Sequence, residues 1–206
     1  MVAYIDIHPV NPQARLVTRV IGILRSGGLI AYPTDSCYAF GCALDNADGL
    51  DRIRRLRQLD VRHHFTLVCS DFSQVGQLVQ VNNATFRLLR ATTPGACTFI
   101  LPALRDVPRR MMHPKKLTVG VRIPAHPVTQ ALLAELGEPM VSSTLILPGE
   151  SEPLTSGWEI RESIGHALEA VVEGGDCGRE PTTVVDLTEL PPTIIREGAG
   201  DPRPFR

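Results

Sequence analysis

The sequence contains no run of roughly 20 apolar residues, the length a helix needs to cross a bilayer, so no membrane association is expected. Its first residues, MVAYIDIHPVNPQ, lack both a basic start and a long apolar stretch. A signal peptide is therefore not expected, and a cytoplasmic location is the default. There is no CxxC pair. The five cysteines (Cys37, Cys42, Cys69, Cys97 and Cys177) are odd in number and scattered, which argues against a disulfide framework and for free thiols in a reducing compartment. His63 and His64 are adjacent, so on regular structure they diverge, and no cysteine sits at ligand spacing; no structural metal is expected. A GxSxG elbow, a Walker loop, an HExxH helix, internal repeats and low-complexity linkers are all missing. That sets aside the common serine-hydrolase, P-loop and zincin chemistries.

What is present is a chain of 206 residues, 43% hydrophobic, enough for one core. A single domain over 1–206 is expected, with its motif-bearing core at about 12–198 and a loop-like, mobile tail at 199–206. The net charge of −1 hides an asymmetry. Arg52–Arg122 carries 13 Lys and Arg against 3 Asp, whereas Ile123–Arg206 carries 5 against 14 acidic residues. The basic middle suits nucleotide phosphates or RNA; it equally suits a solvated face balancing the acidic third.

Asn11-Pro12 reads as a cap and first turn, followed by Leu16, Val20, Ile23 and Leu24 at helical spacing and a stop at Gly27-Gly28. LIAYP (29–33) and 38–44 read as strands. Asn46 is placed to cap a helix with Leu50, Ile53 and Leu56 on one face and Arg52, Arg54, Arg55 and Arg57 on the other. Strands are expected at 65–69, 98–101, 117–124, 139–144, 182–188 and 193–197. Helices are expected at 84–91, 127–136 and 159–172. The segment 148–157 reads as a mobile loop. The alternation makes the class α/β, and the helix-free stretches at 29–44 and 182–197 argue for an open mixed sheet with hairpins.

Five segments occur in order: YPTDSCYAFGC, HHFTLVC, TPGACTFIL, VGVRIPAHP and PTTVVDLT followed by IIREGAG. Together they resemble the YrdC/YciO family, and the RQLDVRHHFTLVC and SSTLILPG segments look most like its YciO branch. The resemblance runs from about Val20 to Gly198. It implies a YrdC-like fold, an open twisted mixed sheet with flanking helices and a concave basic surface. The family's active members are threonylcarbamoyl-AMP synthases. They join bicarbonate, L-threonine and ATP with Mg²⁺, linked to tRNA threonylcarbamoyladenosine modification. Members are also described as binding double-stranded RNA.

By this resemblance Arg57, Thr98, Thr118, Thr144 and Arg196 would meet ATP or AMP, with Arg57 and Thr144 at catalytic positions. Thr34, Arg122, Ser142 and Thr182 would meet L-threonine or another small carboxylate. The chemistry is sensible: a guanidinium fork fits a carboxylate, and Gly95 in the Pro94-Gly95 turn permits close backbone approach. Asp35 is suited to ordering its loop by accepting backbone N–H groups. Taken alone, the same residues read as a Pro-Thr-Asp turn and sheet-edge polarity.

The chain departs from the pattern at specific places. The family's KxR reads here as Arg57 and Leu59, with Arg55 a spatial substitute if the alignment slips. Its SxN reads as Thr144 and Ile146. A histidine near the bound amino acid falls on Val68. Leucine and isoleucine offer no donor to departing pyrophosphate, so the synthase machinery is expected to be incomplete. Arg54, Arg55, Arg57, Arg62, Arg122 and Arg196 keep an anion-binding face, and Arg109, Arg110, Lys115 and Lys116 extend it. Two functions follow: adenylyl transfer, reduced or redirected, or an RNA-binding module for tRNA, rRNA or double-stranded RNA with a vestigial nucleotide pocket. Cys37 and Cys97, near the candidate site, are expected to be inert in apolar surroundings.

Overall fold

In the computed structural model, the strands form one ten-stranded sheet, ordered β1-β8-β2-β3-β7-β4-β6-β5-β9-β10. The structure describes residues 2–60, 63 and 65–206, so the expectations placed on Arg62 and His64 lie outside it. The strands are β1 (Ala3–Asp6), β2 (Ile30–Tyr32), β3 (Ala39–Ala43), β4 (Thr66–Val68), β5 (Cys97–Pro102), β6 (Thr118–Arg122), β7 (Met140–Thr144), β8 (Ala170–Glu173), β9 (Thr183–Asp186) and β10 (Thr193–Arg196). The helices are α1 (Ala14–Arg25), α2 (Ala47–Arg57), α3 (Phe72–Leu78), α4 (Asn83–Thr92), α5 (Pro127–Leu136) and α6 (Gly157–Ile164). Pairing is mixed: β8 lies parallel to β1 and β2, and β4 lies parallel to β6 but antiparallel to β7.

One face is apolar along its whole length. Phe40, Leu67, Val141, Val121, Phe99 and Val185 pack there against Leu50 and Ile53 of α2, Val75 of α3, Leu89 of α4 and Ile160 of α6. The other face is covered only in part. Val20, Ile21 and Leu24 of α1 and Val128, Leu132 and Leu133 of α5 pack on Ile30, Tyr32, Ala39, Met140 and Val172, and this cluster ends at Val68 of β4. Beyond it, the same face presents Thr66 of β4, Gly120 of β6, Thr98 of β5 and, just before β9, Thr182.

Local signals explain most boundaries. The Asn46 side chain accepts a hydrogen bond from the Gly49 N–H and caps α2. Pro127 begins α5, and Gly137, at φ 76°, ends it. Four expectations are corrected. The cap of α1 is Gln13; the Asn11 N–H bonds instead to Nδ1 of His8. The helix expected at 159–172 starts earlier, behind a Ser156–Glu159 capping box, and stops at Ile164; residues 170–173 are strand β8. Strand β1 and helix α3 were not foreseen. The tail is not loose: Arg203–Phe205 forms a 3-10 turn, Phe205 is buried with its ring 5.8 Å from that of Phe99, and the Thr183 hydroxyl donates to the Gly200 carbonyl. Among the described residues no helix is long and apolar enough to cross a membrane.

Candidate functional site

The uncovered polar half of the sheet forms the site. It spans six neighbouring strands, β7-β4-β6-β5-β9-β10. At a strand spacing of about 4.8 Å the floor is roughly 24 Å across, long enough for a nucleotide and a second small molecule side by side. The wider part, about 320 Å³, is lined by His63, Thr66, Thr98, Ile100, Gly120, Ser142, Ser143, Thr144, Thr182, Val184, Ile195 and Arg196. A narrow extension of about 30 Å³ shares the central hydroxyl residues and adds Thr34, Ser36, Cys37, Ala39, Val68 and Arg122. Gly120 keeps the floor open: a Cβ there would lie 3.1–3.3 Å from Phe65 O, Thr66 Oγ1 and Thr98 Cγ2.

The narrow end is rigidly prepared. The Thr34 Oγ1 donates to the Cys37 carbonyl at 2.6 Å and accepts from the N–H groups of Ser36 and Cys37, closing the turn after β2. Arg122, at the end of β6, is 7% exposed and ion-paired to Asp35. Asp35 also accepts the Ala125 N–H at 3.0 Å, so this carboxylate joins its loop to the β6–α5 connection. The Tyr32 hydroxyl donates to Ser142 Oγ at 2.7 Å, and burial pushes the phenol up to about 12. Ser142 Oγ therefore has its own proton to direct elsewhere.

Two further arginines stand at the margins of the floor, one on α2 and one on its edge strand β10. Arg57, last residue of α2, donates to Ser143 Oγ at 2.6 Å, and its buried Nε has no partner among the described residues. Arg196 of β10 donates to the Thr182 carbonyl at 2.8 and 3.1 Å and reaches Thr182 Oγ1 at 3.4 Å. Thr182 Oγ1 in turn lies 3.0 Å from Thr98 Oγ1. Burial lowers both guanidinium pKa values; the Cys37 sulfur opposes this for both, and Arg196 adds to it for Arg57. A cationic pair held partly dry, with a donor unpartnered among the described residues, is chemically suited to hold an anion. The Cys37 and Cys97 thiols are pushed up, chiefly by burial, consistent with unreactive cysteines.

Of the residues expected from the sequence, Thr34, Thr98, Arg122, Ser142, Thr144, Thr182 and Arg196 line this cleft, and Arg57 reaches its edge through Ser143. Thr118 is buried on the same face of β6 but is not a lining residue. Arg54 is turned to the Arg110 carbonyl and to Asp51, and Arg55 lines a separate depression with Arg52, Leu56 and Ala167. Arg55 therefore does not stand in for Leu59. Thr66, Ser143 and His63 were missed. Strand alternation beside Leu67 could have revealed Thr66; nothing in the sequence points to the other two.

A family model described as Telomere recombination, named for Sua5, YciO and YrdC, matches residues 22–198. The uncharacterized protein YciO of Escherichia coli strain K12 is 45% identical over 205 residues, all of both chains. A crystal structure of E. coli YciO superposes over all of both chains with a TM-score of 0.97. A threonylcarbamoyl-AMP synthase of Nitrosococcus oceani is 33% identical over 165 residues, 80% of this chain and 86% of its own. The crystal structure of P. abyssi Sua5 complexed with L-threonine is 26% identical, with a TM-score of 0.87 over 95% of this chain and 57% of that longer one. On the family match and the full-length likeness to YciO, this chain belongs to the Sua5/YciO/YrdC family.

Proposed function

We propose that the cleft binds ATP beside a small amino acid and forms a carbamoyl adenylate, a reaction of the threonylcarbamoyl-AMP synthase type. The observation that carries this reading is one continuous cleft with two cationic ends. Arg57 and Arg196 stand near its hydroxyl-lined wide part, and Arg122 stands at its narrow end. Relatives named threonylcarbamoyl-AMP synthase, and the L-threonine complex of Sua5, support it.

In this reaction the amino group of L-threonine and bicarbonate give a carbamate and water. A carbamate oxygen then attacks the α-phosphorus, its P–O bond forming as the bond to the β-phosphate bridging oxygen breaks, and pyrophosphate leaves with that electron pair. Arg57 and Arg196 would balance the charge that builds on the phosphates. Thr98, Thr144 and Thr182 would donate to phosphate or carbamate oxygens, and Thr118 would support them from the start of β6. Arg122, Thr34 and Ser142 would hold the amino acid, with Asp35 fixing the guanidinium. The lining residues carry no carboxylate, so Mg²⁺ would come with the triphosphate on its own oxygens and shield its charge.

Turnover is expected to be slow. Leu59 packs against the apolar core, and neither it nor Ile146 lines the cleft, so two polar groups of the family pattern have no counterpart at the leaving group. The test is incubation with ATP, Mg²⁺, bicarbonate and L-threonine, following pyrophosphate and adenylate mass together. Threonylcarbamoyl-AMP that disappears with Arg196→Ala supports the reading; no nucleotide binding at millimolar concentration refutes it.

A second reading, RNA docking, is favoured by a separate feature. The β5–β6 connection exposes Arg105, Arg109, Arg110, Lys115 and Lys116. Binding of tRNA or double-stranded RNA that falls steeply with salt would support it, and salt-independent or absent binding would refute it.

A further inference from the structure

The wide end of the cleft differs from its centre. Across β5, β9 and β10, three aliphatic side chains lie side by side on the open face: Ile100, Val184 and Ile195. Alternation accounts for these three, since each neighbours a core-facing residue, Phe99, Val185 or Ile194; it does not account for Arg196, which follows Ile195 and lines the same cleft. In β10, Ile194 is paired with Val185 and Arg196 with Val184, so two steps along β10 face one step along β9. Ile195 is the extra residue of a β-bulge. The bulge brings Ile195 and its neighbour Arg196 to the same cleft, although successive strand residues normally point to opposite faces. The result is an apolar side chain, 57% exposed, next to a guanidinium anchored on Thr182. A single exposed isoleucine is ordinary; what marks Ile195 is that it continues, with Ile100 and Val184, an apolar strip inside a cleft otherwise lined largely by hydroxyl groups.

We infer that Ile100, Val184 and Ile195 are the nucleobase shelf of the cleft, and that they recognise the flat face of the base rather than its edge. This rests on the nucleotide reading above. The shelf spans three strands, about 10 Å at ordinary spacing, which accommodates a purine. It adjoins Arg196, so a nucleotide with its base on the shelf runs its phosphates toward Arg196 and Arg57, and its α-phosphate toward the narrow end where Arg122 stands. The three shelf side chains carry no donor or acceptor. An apolar surface discriminates poorly between ligands of similar shape that differ only in polar substituents. The site is therefore a purine-nucleotide site with weak preference between adenine and guanine.

The test is calorimetric titration of the full chain with MgATP, MgGTP, MgCTP and inorganic tripolyphosphate, on the unmodified protein and on Ile195→Ser, Ile195→Leu and Arg196→Ala. ATP and GTP are expected to bind within about threefold of each other, with CTP weaker because its ring is smaller. Ile195→Ser is expected to weaken all three nucleotides roughly fivefold while leaving tripolyphosphate unchanged, and Ile195→Leu to restore them. Arg196→Ala is expected to weaken nucleotides and tripolyphosphate alike. Ile195 is exposed, so its substitution does not threaten the fold. A preference for ATP over GTP of thirtyfold or more, or nucleotide affinity indifferent to Ile195→Ser, overturns the shelf. Nucleotides binding no better than tripolyphosphate overturns it too, yet leaves the phosphate site standing. No binding of any of the four overturns both.

Discussion

Asp35→Ala is the substitution expected to damage this protein most for the fewest atoms removed. The Asp35 side chain is 16% exposed and its partner Arg122 is 7% exposed, so the pair is largely out of water. Truncating Asp35 removes the countercharge of a buried guanidinium and also the acceptor of the Ala125 N–H. Among the described residues Arg122 then keeps a single long contact, from Nε to the Gly95 carbonyl, 3.4 Å. Leaving one member of a buried pair uncompensated costs about 3–5 kcal/mol. At 3 kcal/mol the midpoint of thermal unfolding falls by roughly 6–12 °C in a chain of this size. Arg122→Met alone is expected to cost about as much, because it leaves a buried carboxylate. The double variant should cost well under the sum, since no uncompensated charge remains, giving a coupling of about 2 kcal/mol or more. Urea denaturation of the four proteins measures this directly. Additive costs, with coupling below about 0.5 kcal/mol, would show that the pair is not a unit and that Arg122 is held by packing alone.

Two other outcomes follow from the same structure. Phe205 is 4% exposed against Phe99, so Phe205→Ala is expected to destabilise by about 3 kcal/mol through the cavity it leaves; removal of residues 199–206 with no change in thermal midpoint would sink the claim that the tail belongs to the core. His126 has its pKa lowered, chiefly by burial, and its buried Nδ1 has no partner among the described residues. The unfolded chain takes up that proton near pH 6.5 while the folded one does not, so stability falls as pH drops below about 6.5. Urea midpoints between pH 7.5 and 5 should show a shallower decline for His126→Gln; parallel slopes would refute the assignment.

Among the described residues, Arg57 and Arg196 have no acidic bonded partner, and Arg57 Nε has no hydrogen-bond partner. Buried polar groups are normally satisfied, so retaining this arrangement has a cost that a bound anion would offset. This favours ligand binding over a purely structural role, whichever ligand is natural.

The amino-acid sequence by itself determined the parts that local physics governs. Short apolar runs at 65–69 and 98–101, alternation at 117–124 and the β-branched run at 182–188 specified strands, and Asn46, Pro127 and Gly137 marked helix ends through groups within one turn. The order of the motifs brought Thr34, Arg122, Thr182 and Arg196 into consideration together, and they do share a cleft. Tertiary structure alone decided the rest. Residues 170–172 read as the end of a helix because a short apolar run carries no period of its own; the slot between β1 and β2 makes them part of strand β8. Arg122 meets Asp35 across 87 residues of chain, and Arg57 meets Ser143 across 86. The cleft position of Arg196, directly after the cleft-facing Ile195, depends on one extra residue in the β10 register; a period-two reading of the sequence assigns Arg196 to the core side. Periodicity and caps act over one turn or one pleat, and are written locally; ion pairs, strand register and the open half of a sheet exist only once distant segments have packed.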